Sequence, residues 1–431
     1  MPSLTHDPLA WIDDELRKLD RANLRRRLAV RGGPQGARIV LDGRELVNFG
    51  SNDYLGLAAD ERVIAAARSA SAREGWGSGA SPLVSGRGRL QAELERRLAE
   101  FEGTEAALVF PSGFAANAGI IPALVEEPDA IFGDAKNHAS VIDGCRLSKA
   151  TRLVYPHADC DALEKLLADN GGFRRRLIVT DTVFSMDGDL APLGRLTELA
   201  ERYDAMLMVD EAHATGVFGE HGRGVVEHMG SVPFFGSEKK GTDPFVSAGQ
   251  RGQSQFASRT PQDWDSPLLH DRVHIRVGTL SKSLGSGGGF VCGRRSLIDW
   301  LANRARTYVF STAQPAAAHA AAIAALDAVH EEPHRRQQLL SAAADLRLQL
   351  GKQGWNTGQS ASQIIPIMIG DAARTIELAA HLRDAGFFIP GIRPPSVPDG
   401  ESLLRLSLCY HHGPESIQSL VEQLGRIQWV G

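Results

Sequence analysis

Cysteine is scarce in this chain, with four residues among 431, and no two of them form a CxxC pair. Because the four cysteines lie far apart in the sequence, the sequence indicates neither a zinc site nor a disulfide framework, and we expect no metal. Isolated thiols are typical of reducing compartments, which favours a cytoplasmic location. Residues 1–7 also lack the basic and apolar stretches of a secretory signal.

Long apolar runs and an excess of one charge are missing as well. No run reaches the roughly 18 apolar residues of a membrane span, and the alanine-rich stretch 316–325 predicts a buried helix instead. The 47 Lys and Arg against 52 Asp and Glu leave a formal charge of −5, which predicts no nucleic-acid partner. With 43% hydrophobic residues, the composition is that of a globular protein.

From about residue 51, short apolar runs alternate with helical patterns. The runs that predict strands are 106–110, 130–132, 152–155, 177–182, 206–210, 274–279 and 289–292. Helical patterns at 115–124, 161–169 and 193–203 lie between them. This alternation is typical of a mostly parallel sheet covered by helices, the α/β class. Ligands of such folds bind beyond the carboxyl ends of the strands.

We divide the chain into three parts. Residues 1–50 predict a helix over 8–30 and a strand pair, residues 51–300 a large domain, and residues 301–431 a smaller α+β domain with strands at 364–369 and 403–409. Residues 231–271 interrupt the large domain with a stretch rich in Gly, Ser, Gln, Asp and Pro. Because they separate two strands that would otherwise be near neighbours, we interpret them as an insertion.

Three short segments contain the residue types of one kind of chemistry. Asp210 ends an apolar strand and His213 follows three residues later. Lys282 stands among small residues just after another strand, where burial would lower its pKa and leave a neutral amine. Residues 110–117 end a strand and open a helix, whose free N–H groups can bind a phosphate. Pyridoxal phosphate needs such an acid, amine and phosphate site together.

Each of these segments also has a structural interpretation when it is taken alone. Asp210 can cap a turn beside a surface histidine, 277–289 can be a flexible glycine-rich loop, and Ser-Gly is common where a strand leads into a helix. Dinucleotide binding is disfavoured, because the first strand–helix unit lacks the GxGxxG fingerprint and no P-loop is present.

At these residues the chain resembles the α-oxoamine synthases, a branch of the fold type I pyridoxal-phosphate enzymes. The resemblance runs from about residue 24 to the C-terminus and leaves out 231–271. Its motifs are Asn48-Phe-Gly-Ser-Asn-Asp-Tyr-Leu-Gly56, Asp134-Ala-Lys-Asn-His-Ala-Ser140, Val183-Phe-Ser-Met-Asp-Gly-Asp189, Val209-Asp-Glu-Ala-His-Ala-Thr-Gly216 and Ile392-Arg-Pro-Pro-Ser-Val-Pro398.

The resemblance implies roles for residues around the cofactor. Lys282 would bind pyridoxal phosphate covalently and later move the substrate's Cα proton, while Asp210 would keep the pyridinium nitrogen protonated. His138 would stack on the ring. The remaining cofactor contacts would be His213 and Ser185 at the phenolic oxygen, the backbone of Gly113 and Phe114 with Thr279 at the phosphate, and Ser311 or Thr312 of a partner subunit.

The resemblance also implies an activity and its substrate residues. Within the family the chain is most similar to the members that join L-alanine to a pimeloyl thioester in biotin biosynthesis, the thiol being coenzyme A or a carrier protein. It would therefore be a homodimeric acyltransferase. Arg393 would bind the amino-acid carboxylate near Asn52, with Ser396 and Arg25 as further substrate contacts. A solvated helix end is the other interpretation of the arginine run that contains Arg25.

The chain departs from the family pattern at three points, and the first two leave the identity of the acyl chain open. Pro82 stands where an arginine is usual, the stretch 85–91 lacks a common histidine, and Asp210 and Lys282 are 72 positions apart (282 − 210), about twice the usual separation. Another α-oxoamine synthase, using glycine or serine with a different thioester, is the nearest rival. A non-catalytic scaffold is disfavoured because Lys282 and Asp210 are both present. For 231–271 we favour a solvated loop over a lid on the acyl-chain entrance, since loop closure costs little.

Overall fold

The computed structural model describes residues 7–230 and 272–427. The insertion that we predict at 231–271 lies outside the described residues. In the N-terminal part, a helix Trp11–Arg21 precedes strands β1 (Arg31–Gly32), β2 (Arg38–Leu41) and β3 (Arg44–Asn48). The helix predicted over 8–30 is wrong beyond Arg21. Its apolar residues are not buried, and Asn23 takes a left-handed φ of 57°, which ends the helix.

A seven-stranded sheet forms the centre of the large domain. Its strands are β4 (Ala106–Phe110), β5 (Ala130–Asp134), β6 (Thr151–Tyr155), β7 (Arg176–Asp181), β8 (Met206–Asp210), β9 (Ile275–Thr279) and β10 (Gly289–Gly293). Their spatial order is β4-β10-β9-β8-β7-β5-β6, and only β10 runs antiparallel to its neighbours. The predicted mostly parallel sheet is confirmed.

Helices cover both faces of this sheet, which explains why the interior strands β9 and β10 are buried along their whole length. They span Glu61–Glu74, Arg89–Glu102, Gly113–Leu124, Ala139–Leu147, Cys160–Asp169, Leu193–Arg202, Val225–Gly230, Arg295–Arg304, Arg306–Val309 and Ala316–Glu331. A π-helical turn spans Pro82–Gly86. The alanine-rich stretch 316–325 lies in a helix packed on the core, as predicted.

From residue 334 to 427 the chain contains one three-stranded sheet and three helices. Strands β11 (Ile364–Gly370), β13 (Gly391–Ile392) and β14 (Ser402–Ser407) form one sheet, packed with helices His334–Lys352, Ala372–Asp384 and Pro414–Gly425. Strand β12 (Phe387–Phe388) instead pairs parallel with Val47 and Asn48 of β3. The N-terminal strands therefore share a sheet with C-terminal residues, and our division at 50 and 300 stays a prediction. Within the described residues, no helix combines the length and apolarity required to cross a bilayer.

Candidate active site

The candidate site lies at the edge of the large sheet where the parallel strands end. Asp181 ends β7, Asp210 ends β8 and Thr279 ends β9. The register pairs Asp181 with Asp210, and Asp210 with Val277. Because the strands are in step, three polar side chains and the turn that contains Lys282 meet at this one edge.

Lys282 gives up its proton more readily than an ordinary lysine. Its Nζ lies 2.8 Å from His213 Nε2. Burial disfavours the charged ammonium and lowers its pKa to about 8; the positive charge of Arg405 acts in the same direction, while the carboxylate of Asp210 opposes it. The sequence predicted both the placement and the direction of this shift.

Contacts to its ring and to its backbone hold His213 in place. The Tyr54 hydroxyl contacts its Nδ1 at 2.6 Å, opposite the nitrogen that faces Lys282. Gln363 Nε2 donates to its carbonyl oxygen at 2.8 Å. Burial and the neighbouring charge of Lys282 hold the pKa of His213 well below its usual value, so the imidazole is neutral. Tyr54 and Gln363 were not identified from the sequence.

Asp210 is a buried carboxylate whose contacts come from neutral donors. Asn117 Nδ2 donates to its Oδ2 at 2.6 Å, and the backbone N–H of Ala212 donates to its Oδ1 at 2.8 Å. Asn117 also donates to Ser140 Oγ at 3.0 Å. In the part of the chain that the structure describes, no ion pair involves Asp210. A buried anion that makes no direct ion pair fits a site that receives a cationic group.

His138 is held at the rim by backbone and side-chain contacts. Its N–H donates to Asp181 Oδ2 at 2.7 Å, and its Nδ1 lies 2.7 Å from Ser140 Oγ. Burial, together with the nearby carboxylate of Asp210, raises the pKa of Asp181 well above its usual value. Since His138 is exposed in the protein alone, its ring is free to lie against a bound group.

A helix start lies next to the end of β9. Ser112 caps the helix Gly113–Leu124 by accepting from the N–H of Ala115 at 3.0 Å. A Cβ on Gly113 would lie 3.4 Å from Thr279 Cβ, so these two residues are in close contact. Phe114 is 48% exposed. Exposed N–H groups at such a start, with the Thr279 hydroxyl nearby, suit an anionic phosphate.

The residues predicted to come from a partner subunit lie apart from this cluster. Ser311 and Thr312 line a small cavity with Pro82 and Tyr308. No hydrogen bond among the described residues joins Thr312 to Lys282 or to the helix start at Gly113.

Arg405, which sequence reasoning missed, is the buried cation beside Asn52. Its Nη1 donates to Asn52 Oδ1 at 3.2 Å and to Ser407 Oγ at 2.8 Å, and its Nε donates to the carbonyl of Ser185. It is 5% exposed, and no ion pair in the described ranges uses it. The available signal was a lone arginine within the otherwise apolar run Leu403-Leu404-Arg405-Leu406.

Arg393 and the other predicted substrate residues lie further out. Arg393 donates to the carbonyls of Gly391 at 3.2 Å and Arg25 at 2.9 Å. The side chain of Arg25 binds Asp20 at 2.5 Å, and it is Arg26 that donates to Ser396 Oγ, at 3.1 Å. The structure therefore brings Asn52 and Arg405 together and links Arg393 to the N-terminal segment.

Known proteins resemble this chain in sequence and in structure. The model of the family described as aminotransferase class I and II matches residues 44–424. The 8-amino-7-oxononanoate synthase of Anaeromyxobacter dehalogenans is 45% identical over 97% of this chain and 96% of its own length. That of Geobacter sulfurreducens is 44% identical over 96% of this chain and 97% of its own length.

Among solved structures, a serine palmitoyltransferase from S. paucimobilis with PLP and myriocin bound superposes with a TM-score of 0.84 at 29% identity. The match covers 97% of this chain and 96% of that one. It confirms the predicted fold type I architecture. Together, the family match and the two relatives show that the chain belongs to the class I and II aminotransferase family, among the 8-amino-7-oxononanoate synthases.

Proposed function

We propose that this protein condenses L-alanine with a pimeloyl thioester to give 8-amino-7-oxononanoate, CO2 and the free thiol, a reaction of biotin biosynthesis. A bond forms between the alanine Cα and the thioester carbonyl carbon, and the C–S bond breaks. The thiolate leaves with the Cα proton. The bond from Cα to the carboxylate then breaks, and a proton replaces the carboxylate. The similarity to the two synthases over nearly the whole chain carries this proposal.

Pyridoxal phosphate fits the residues at the end of the sheet. Lys282 would hold it covalently, the unpaired carboxylate of Asp210 would face its cationic ring nitrogen, and Gly113 with Thr279 would hold its phosphate. Asn117 Oδ1, a buried acceptor without a partner among the described residues, points to a polar group still missing from the site. When bound, the cofactor supplies an electron sink for the pair left at Cα.

The chain's own residues bind the substrate and move its proton. Arg405 and Asn52 bind the alanine carboxylate, because Arg405 is the buried guanidinium that lies free of acids at the site. Lys282 takes the Cα proton and later returns one, a task suited to an amine whose pKa is about 8. Neutral His213, held in place by Tyr54, donates a hydrogen bond to Lys282 or accepts one from it, and it adds no charge to the site.

We also propose a homodimer with shared active sites. Three large apolar side chains outside the site are exposed: Val84 at 80%, Phe310 at 71% and Leu83 at 53%. They belong to one patch, since the N–H of Ala313 donates to the carbonyl of Ala80 at 2.9 Å. Such patches mark association surfaces, and a partner covering this one would bring its Thr312 toward a neighbouring phosphate site. A cytoplasmic location agrees with the four free cysteines.

The test is thiol release by purified protein from pimeloyl-CoA with alanine, glycine or serine. We expect alanine to be preferred by at least about tenfold, the usual discrimination for one methyl group. Lys282→Ala should lose turnover and release the cofactor on dialysis. A preference for glycine or serine with another acyl-CoA would establish the rival synthase instead.

A further inference from the structure

A cavity of about 340 Å³ adjoins the candidate active site. Three segments line it: 135–142, 184–187 and 395–403. Each of them includes or borders a residue of the predicted site, namely His138, Ser185 and Ser396. The cavity is therefore a space beside the predicted site that a chain attached to the reacting carbon can enter.

The walls of this cavity are largely apolar, but one side is charged. Phe184, Met186, Val397 and Leu403 supply hydrocarbon surface. Lys136 is the one cation among its lining residues in the described part of the chain, with Asp187 and Glu401 as the acids. A ligand that fills the cavity would pair a hydrocarbon chain with a polar end group.

Lys136 has capacity for a further anion. Its Nζ donates to Asp187 Oδ1 at 3.0 Å, whereas Glu401 Oε2 lies at 3.8 Å, beyond hydrogen-bonding distance. An ammonium has three N–H donors. Burial alone would lower the pKa of Lys136, but the hydrogen bond and charge of Asp187, with Glu401, raise it, so the group stays protonated. Glu401, with its side chain 44% exposed, can turn into solvent.

We propose that Lys136 binds the distal carboxylate of the acyl thioester and thereby selects a dicarboxylic chain. This inference rests on the proposed function, since the acyl part of 8-amino-7-oxononanoate ends in a carboxylate. The incoming carboxylate takes the place of Glu401 beside Lys136, while Asp187 keeps the ammonium in position. The hydrocarbon part of the chain lies against Phe184, Met186 and Leu403.

The neighbouring arginines have other partners. Arg393 donates to two backbone carbonyls, and Arg26 donates to Ser396 Oγ. Arg405 donates to Asn52, to Ser407 and to the carbonyl of Ser185. None of the three lines the cavity, which leaves Lys136 as its cationic contact.

The experiment compares kcat/KM for pimeloyl-CoA, its ω-methyl ester and heptanoyl-CoA, with saturating alanine. Wild type should prefer the free acid. Lys136→Met should lower kcat/KM for the free acid by at least about tenfold, the usual value of a charge-assisted hydrogen bond. Heptanoyl-CoA should change by less than about twofold. Lys136→Arg should keep the preference for the acid.

Glu401→Gln is the matched variant with an effect of opposite sign. It removes the competing carboxylate, so kcat/KM for the free acid should rise, while heptanoyl-CoA should be unaffected. Because Glu401 is at the surface, we expect Glu401→Gln to fold even if Lys136→Met does not, and it then tests the role of Lys136 by itself. Thermal unfolding shows whether each variant folds.

Three results would overturn the assignment: a wild type that treats the acid and the ester alike, equal losses for acid and heptanoyl-CoA in Lys136→Met, or no rise in kcat/KM for the free acid in Glu401→Gln. In each case alanine-dependent thiol release persists, and the proposed function stands. If no thioester supports thiol release with alanine, the proposed function fails, and this assignment fails with it.

Discussion

The pKa of Lys282 is lowered because its ammonium is buried and lies near the cation Arg405. The neutral amine is the form that attacks an aldehyde, so its abundance sets how fast the apoprotein takes up pyridoxal phosphate. The rate of uptake should fall about tenfold for each pH unit below 8 and level off above it. Following the absorbance of the bound cofactor from pH 6 to 10 measures this. A rate that keeps rising steeply up to pH 10, as the ordinary lysine pKa of 10.5 would require, would contradict it.

Substitutions of Arg405 and Arg393 test which of these two arginines binds the substrate carboxylate. Arg405→Gln should raise the KM for alanine by roughly tenfold to a hundredfold, since one charge-assisted pair is lost. Arg393→Gln, the matched variant, should change this KM by less than about threefold, because its guanidinium binds backbone carbonyls. Steady-state kinetics with varied alanine measure both KM values. A larger increase in Arg393→Gln than in Arg405→Gln would support the sequence-based assignment of Arg393 to the carboxylate.

Residue identities at strand ends could be predicted, because an acid or lysine that follows an apolar strand must emerge at the ligand edge of the sheet. Lys282, Asp210 and His213 come together in this way. Arg405 could not be assigned, because it lies within a strand of the small domain and reaches the site only when that strand packs beside Asn52.

At the scale of elements, the helix Gly113–Leu124 begins directly above β10. A Cβ on Gly289 would lie 2.5 Å from both Gly113 N and Ser112 O, closer than backbone atoms permit. Gly289→Ala should therefore displace the helix start, lower the free energy of unfolding by about 1–3 kcal/mol and weaken cofactor retention. Thermal unfolding and dialysis of the cofactor measure the two effects.

Gly287→Ala is the control for this prediction. Its added Cβ would have Gln314 Nε2 as its nearest neighbour, at 3.8 Å, which is ordinary contact. Equal stability and cofactor retention in the two variants would show that the helix start tolerates the displacement.

Most strands and helices of the large domain could be predicted, because buried strands read as short apolar runs between turn residues. Asp60 caps the helix Glu61–Glu74 by accepting a hydrogen bond from the N–H of Arg62. The prediction of the N-terminal helix was wrong beyond Arg21, because apolar periodicity predicts a helix whether or not other residues pack against it. Pairing of β3 with β12 could not be foreseen, since no local pattern encodes a partner so distant in sequence.

At the scale of the molecule, the exposed patch around Phe310 predicts that activity depends on association. Phe310→Asp should raise the dimer dissociation constant at least about a hundredfold, because a charge is costly in an apolar interface. Activity per subunit should fall with it at low concentration. Analytical ultracentrifugation and dilution assays measure both quantities.

Leu348→Asp is the comparison for this prediction. Leu348 is 56% exposed on the helix His334–Lys352, away from the patch. This variant should remain dimeric and active. Dissociation of both variants alike would mean that the interface lies elsewhere.

The pairing of Val47 in β3 with Phe387 in β12 also has a consequence for the newly made chain. The two residues are 340 positions apart (387 − 47). At roughly 5–20 residues per second, a ribosome needs about 17–70 s to deliver the second strand after the first. During that interval one edge of β3 has no partner and can pair with another nascent chain. Arg44 and Glu45, charged and exposed at the start of this strand, oppose such pairing until synthesis is complete.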